Sequence, residues 1–368
     1  MSIENTLKIA KRVEATHRNL GLPTIISKLV DLSDLGLFIV GERAKGKGAI
    51  LDAVMQLRHR KVMKVSRVTP AGLAKIANEL NDTKVTFINP DITGLYSSYL
   101  KDAAINVIAH LISEHSVPQS WTGQYQYSIS NCHISFLGGI QPKLMRELTS
   151  LPNWESMYKD RYLRMYLLYP FGTPNYIKEY PNIGDIFLPA EFNQDQISIS
   201  RDIRRDKSYI RMKTILERQT SEGRSGQYLD ALLRAHAFLN QREMVLNADL
   251  EILELATPYF MIDYWLSERQ ALASPLRLDP NGYVLLFYMI EHGEASKAKM
   301  RAYWKVSQST MTRAIQHLRE KHIIVGTYGK DLYTLNPDWY KRYIAPLVNW
   351  GNSIGILGKG LIDFEVKT

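Results

Sequence analysis

The stretch that most constrains this 368-residue chain is a glycine-rich loop set between an apolar run and an amphipathic helix. Leu37-Phe38-Ile39-Val40 leads into Gly41-Glu42-Arg43-Ala44-Lys45-Gly46-Lys47-Gly48. Residues 49–58 follow, with Ile50, Leu51, Val54 and Leu57 on one helical face. The spacing is G-x-x-x-x-G-K, in the strand, loop and helix context that gives the pattern meaning. Such a loop curls backbone N–H groups around phosphate oxygens. The helix adds the positive end of its dipole, and Lys47 reaches the outer phosphates. Gly41, Gly46, Lys47 and Gly48 are therefore candidate nucleotide-binding residues. Gly48 stands where a Ser or Thr hydroxyl would bind Mg²⁺. A metal there is held through water or not at all. A glycine turn without a ligand is the bland alternative.

The surrounding pattern supports a layered α/β core. Residues 5–19 and 24–32 read as helices, 62–68, 85–88 and 133–137 as strands, with helices after Pro70 and across 97–114. Strands alternating with helices predict a parallel sheet covered on both faces. Residues 170–200 are less regular and read as holding a hairpin. From 207 to 271 the pattern is wholly helical. Ser274-Pro275 and Asp279-Pro280-Asn281-Gly282 mark the entry to a small α+β unit.

Val85-Thr86-Phe87-Ile88-Asn89-Pro90-Asp91 has the four-residue apolar strand that precedes the acids of nucleotide hydrolases. At this point the chain resembles the AAA+ branch of P-loop ATPases, in which an Asp-Glu pair follows the strand. Here the pair reads Asn89-Pro90. Asn accepts a hydrogen bond from a metal-bound water but brings no charge, and Pro cannot orient or activate an attacking water. Asp91 could substitute only if the backbone were bulged. The resemblance covers residues 20–260. Ile134-Ser135-Phe136-Leu137-Gly138-Gly139-Ile140-Gln141-Pro142 is similar to the strand carrying the sensor-1 polar residue, with Gln141 where Asn is usual. Tyr162-Leu163-Arg164-Met165-Tyr166-Leu167-Leu168 resembles the Leu-Ser-Arg-Phe segment of minichromosome-maintenance helicases, which implies an arginine-finger role for Arg164. Arg224-Ser225-Gly226-Gln227-Tyr228-Leu229 resembles the sensor-2 helix of their lid, and Asn247 would cap the next lid helix. An ion pair at the surface or core edge is the alternative for Arg164 and Arg224. The departures fall together on the catalytic elements. The resemblance thus implies a pseudo-ATPase that holds ATP weakly or structurally, with no dedicated Mg²⁺ ligand, and packs beside other AAA+ subunits in a homo- or hetero-oligomer.

The last ninety residues carry a second signal. Residues 283–292 read as a helix ended by Gly293, 297–304 as a short helix, and Lys305-Val306 as a turn. Ser307 is the N-cap of a longer helix on which Met311, Ala314, Ile315 and Leu318 share the buried face. Strands at 323–327 and 332–335 follow. The run from Trp304 to Val325 closely resembles the winged-helix form of the helix-turn-helix, although His322 stands where Gly is usual. The resemblance places Gln308, Ser309, Thr310, Arg313 and His317 at the major groove of duplex DNA, where Gln and Arg make paired hydrogen bonds to adenine and guanine edges. Ser307, Lys305 and Lys299 would meet phosphates, and Lys330 in the wing would meet backbone or minor groove. A winged helix used only for protein contact is the alternative.

Charge suits a polyanionic partner such as nucleic acid, although a charge run alone is more often a solvated face. Lys and Arg number 46 against 37 Asp and Glu, for a net +9. They cluster at Arg58-His59-Arg60-Lys61 and at Arg201, Arg204, Arg205, Lys207, Arg211 and Lys213. One cysteine, Cys132, excludes an internal disulfide framework and a cysteine zinc site. No apolar run approaches the roughly 18 residues that span a bilayer, so a soluble, cytoplasmic protein with no membrane partner is expected. The resulting architecture is an α/β, P-loop (AAA+-like) parallel-sheet core at 1–200, a helical lid at 201–272, a winged-helix DNA-binding domain at 273–345 and a tail at 346–368. The combination resembles replication initiators and replicative helicases. The expected function is accordingly an oligomer-forming, DNA-binding replication factor. An active DNA-dependent motor and a winged-helix transcription regulator are the alternatives.

Overall fold

The computed structural model describes residues 3–57, 59–66, 70–93, 101–122, 125–151, 154–171, 182–186, 196–267, 278–327 and 331–355. The chain opens with helices α1 (Glu4–Thr16) and α2 (Gly21–Leu32), then strand β1 (Gly36–Val40) and helix α3 (Lys47–Gln56). Next come β2 (Lys61–Lys64), α4 (Pro70–Leu80), β3 (Lys84–Asn89), α5 (Lys101–Glu114), β4 (Val117–Thr122), β5 (Tyr125–Ile129), β6 (His133–Ile140), α6 (Pro142–Leu148) and β7 (Tyr162–Tyr166). Helices α7 (Arg201–Arg205), α8 (Lys207–Glu217), α9 (Glu222–Leu239), α10 (Asn247–Leu255) and α11 (Thr257–Trp265) make the helical section. The chain ends in α12 (Pro280–His292), β8 (Glu294–Ser296), α13 (Lys297–Trp304), α14 (Gln308–Glu320), β9 (Ile324–Gly326), β10 (Leu332–Leu335), α15 (Pro337–Tyr343) and α16 (Ala345–Ser353).

Five strands form one parallel sheet in the order β2-β3-β6-β1-β7. Every residue of β1 and β7 is buried, as expected of strands covered on both faces. The chain leaves β1 toward one edge and returns to its other side with β7. The switch in strand order therefore falls at β1, where open α/β sheets bind ligands beyond the carboxyl ends of their strands. The glycine loop occupies that end.

Helix α2 is buried along its whole length, and it carries charge into the core. Its Asp31 accepts from Lys28 Nζ (2.8 Å), Thr86 Oγ1 on β3 and Ser135 Oγ on β6 (2.6 Å). Burial alone would raise the Asp31 carboxyl; Lys28, His59 and Arg60 hold it below its ordinary range instead. A buried carboxylate with these donors fixes one register of α2 on the sheet.

The sequence pattern missed the hairpin of β4 and β5 and the short strand β8. It ended β6 three residues early and put the cap of α10 at Asn247. The capping position belongs to Leu246, whose N–H donates to Asp249 Oδ2 (2.7 Å). The hairpin expected within 170–200 lies largely outside the described residues. In the C-terminal unit β8, β9 and β10 form an antiparallel sheet in the order β8-β10-β9 beside α13 and α14. Met311, Ala314, Ile315 and Leu318 face its core as expected. His322 adopts φ +55°, the left-handed conformation that makes Gly usual at that turn. No helix of the described residues is long and apolar enough to cross a membrane.

Candidate functional site

Beyond the carboxyl end of β1 the loop encloses a hollow of about 400 Å³, within the size range of small-ligand pockets. Arg43, Ala44, Lys45, Gly46, Lys47 and Gly48 line it from the loop; Pro90, Asp91, Thr93 and Gln141 line it from beyond β3 and β6. Backbone geometry explains the glycines. Gly46 takes φ +93°, and a Cβ there would lie 2.4 Å from Leu20 Cδ1. It precedes the first turn of α3, whose free N–H groups and dipole face the hollow. Lys47 Nζ folds back to donate to the carbonyls of Gly41 and Glu42, both at 2.7 Å. Burial lowers the Lys47 ammonium below its ordinary range, an effect that Asp91 and Glu42 oppose. Gly41 itself sits behind the loop, against Leu167.

The strand end opposite departs from a straight ladder. Asn89 is paired with Gly138, yet Ile92 N–H, not the N–H of Asp91, reaches Gly139 O (3.0 Å). One residue is therefore bulged out. The Pro90 carbonyl presses on Gly139, where a Cβ would lie 2.4 Å from it. The bulge is fastened by Asn89 Oδ1, which accepts from Asp91 N (3.1 Å). It brings Asp91 to the wall of the hollow, where its Oδ1 accepts from the Thr93 N–H (3.0 Å). Asn89 is 1% exposed, and its Nδ2 has no hydrogen-bond partner among the described residues.

Of the eight residues expected to meet nucleotide, Gly46, Lys47, Gly48 and Gln141 line the hollow, with Gly41 and Asn89 close behind. Arg164 does not. It lies within β7, 2% exposed, its Nε donating to Asp263 on α11 and its backbone N–H to Gln219 Oε1 (2.8 Å). Asp263 also accepts from Tyr166 Oη. Burial would lower the Arg164 guanidinium, but Asp263 and Tyr166 keep it above its ordinary value. A finger must reach outward to a neighbouring phosphate; Arg164 is a core ion pair. Arg224 occupies the first turn of α9, bonded to Tyr228, and is not among the residues lining the hollow.

Two tyrosines with no recognisable signal in the sequence tie the loop down. Tyr283 Oη on α12 is shared between the carbonyls of Val40 (3.2 Å) and Leu167 (3.1 Å). Tyr169 Oη donates to Lys45 O (2.7 Å), and both rings pack on Phe287.

The residues fit phosphate, and they offer Mg²⁺ one charged ligand, Asp91. Phosphate meets the free N–H groups of α3 and a lysine on a curled loop. Magnesium is a hard ion that needs oxygen ligands. Gly48 supplies none, and Asn89 has only a neutral amide oxygen that already accepts from Asp91 N–H, so Asp91 is the one carboxylate lining the hollow among the described residues.

On the C-terminal unit, Lys299, Lys305, Ser307, Gln308, Ser309 and Arg313 are exposed, and Thr310 is half-buried. Ser307 Oγ caps α14 by accepting from Thr310 N–H (3.2 Å). His317 is half-buried with Nε2 turned away from solvent, which removes that nitrogen from the outward face. Lys330 lies outside the described residues.

No family model and no curated protein matches the chain. Among solved structures it is similar to a Cytophaga hutchinsonii protein provisionally classed as an ATPase, at 13% identity over 68% of this chain and 87% of that one, with a TM-score of 0.32. It is also similar to the C-terminal region of NrS-1 in its apo A form, at 11% identity over 91% and 76%, with a TM-score of 0.28. Likeness this distant does not say what the chain binds.

Proposed function

We propose that this chain is a DNA-binding, AAA+-like replication factor that assembles with like subunits. Its core holds ATP as a structural or switching ligand and turns it over slowly or not at all. The observation that carries the reading is the hollow at the sheet's switch point, walled by a curled glycine loop, a helix N-terminus and Lys47. Asn89 and Pro90 stand where hydrolysis needs a metal-directing acid and a water-activating base. The winged-helix reading is supported by the order α12-β8-α13-α14-β9-β10 and by the exposed Gln308 and Arg313 on α14.

Two measurements test it. Lys47→Ala should abolish ATP binding by calorimetry while leaving the far-ultraviolet circular dichroism unchanged. Duplex affinity should fall steeply with salt and drop about tenfold with Arg313→Ala; salt-independent binding would remove DNA from the proposal. One observation favours a second reading, an active DNA-dependent ATPase: the bulge that brings Asp91 to the hollow. DNA-stimulated phosphate release, lost with Asp91→Asn, would select it.

A further inference from the structure

We infer that the hollow takes a polyphosphate as the bare anion, with Arg43 and Lys45 supplying the positive charge that a divalent ion supplies in other phosphate-binding loops. This rests on the nucleotide-binding reading above and adds its ionic form and two recognition residues.

Three features converge on it. The first is the donor set. At the start of α3 a Ser or Thr hydroxyl would offer oxygen to a cation, and Gly48 offers none. Its position is open rather than blocked, because a Cβ there would meet nothing within 4 Å. The second is Asn89. Its neutral amide stands in place of an acid, its oxygen accepts from the Asp91 N–H, and its buried Nδ2 has no hydrogen-bond partner among the described residues. An amide behind the wall brings no negative charge with which to hold a divalent ion. The third is charge. Arg43, Lys45 and Lys47 line the hollow against one carboxylate among the described residues, Asp91, whose Oδ1 accepts from Thr93. Arg43 is exposed at the loop tip, and its planar guanidinium can bind phosphate oxygens in pairs. Lys45 has its carbonyl fixed by Tyr169, whose ring centroid lies 5.9 Å from its Nζ, and the residue lines the hollow. A hollow built this way neutralises charge with side chains, and a metal held by the ligand competes with them.

The test is calorimetric titration of the full chain with ATP, first in EDTA and then in excess MgCl₂. The expected result is binding in EDTA, with an affinity that magnesium leaves unchanged or weakens. Arg43→Gln should weaken binding in EDTA by about tenfold, the effect of one charge-assisted contact. Arg43→Lys, which keeps the charge and loses the paired geometry, should recover part of it. Inorganic tripolyphosphate should compete with ATP, since the loop contacts the phosphates. Gly48→Ser adds the missing oxygen at an open position and should make magnesium tighten binding. Wild-type binding that needs magnesium, or an Arg43→Gln variant that binds as wild type does in EDTA, would overturn the inference and leave the nucleotide reading standing. No binding of ATP under either condition would overturn both.

Discussion

Replacing Asp263 with Asn would leave the Arg164 guanidinium buried without its counter-charge. The two side chains are 2% and 3% exposed, so water cannot take over the role of the carboxylate. Breaking one side of a buried pair costs about 3–5 kcal/mol, because the remaining ion keeps its desolvation penalty and loses its partner. Tyr166 loses its charged acceptor at the same time. That is a large share of the roughly 5–15 kcal/mol that holds a domain folded. With a urea slope of about 3 kcal/mol per molar, the midpoint should fall by about 1 M or more. Replacing both partners, as Arg164→Met with Asp263→Leu, should recover more than half of the loss, since no orphan ion remains. Urea unfolding followed by tryptophan fluorescence reads both effects. If Asp263→Asn shifts the midpoint by less than about 0.2 M, the ion pair is not what holds β7 to α11, and Arg164 is free for another role.

Three further outcomes are expected. Burial pushes the Glu14 carboxyl up to about 7, against the opposing bonds from the Gly21 and Asn19 N–H groups, while in the unfolded chain it keeps its ordinary 4.5. The folded form therefore binds the extra proton between these values; the group's contribution is complete below the lower one and is lost as pH rises through the upper. Thermal midpoints should accordingly drop between about pH 5 and pH 8, and Glu14→Gln should flatten that slope. Gly139→Ala forces a methyl to 2.4 Å from the Pro90 carbonyl, so it should destabilise the chain by about 1–3 kcal/mol and weaken ATP binding by displacing the bulge. Wild-type midpoint and affinity in that variant would mean that the bulge does not shape the hollow. Ser307→Ala removes the cap of α14 and should cost about 1 kcal/mol, visible as faster amide exchange in its first turn.

The core was legible because its periodicities are strong. Apolar strands alternating with helices lead to a parallel sheet, and a G-x-x-x-x-G-K spacing after an apolar run has few other ways to fold. The buried face of α14 followed from the 3.6-residue repeat. What remained hidden depends on partners distant in sequence. Arg164 sits in an apolar strand whose meaning is set by Asp263, ninety-nine residues later. A motif comparison reads its position but not its counter-ion. Asp91 was visible as a candidate, but the bulge that moves it follows from the Pro90 carbonyl meeting Gly139 on another strand. Strand β8 spans only three residues, too few for an alternation to register.

The phenols of Tyr169 and Tyr283 give the molecule a particular kind of unity. One ring anchors the entry to the loop and the other its tip, and the two meet on Phe287 of the helix that opens the final unit. Cutting the chain ahead of residue 280 to obtain a free-standing core would remove one anchor and uncover the other. The piece most easily mistaken for an appendage is part of the mould in which the loop is cast.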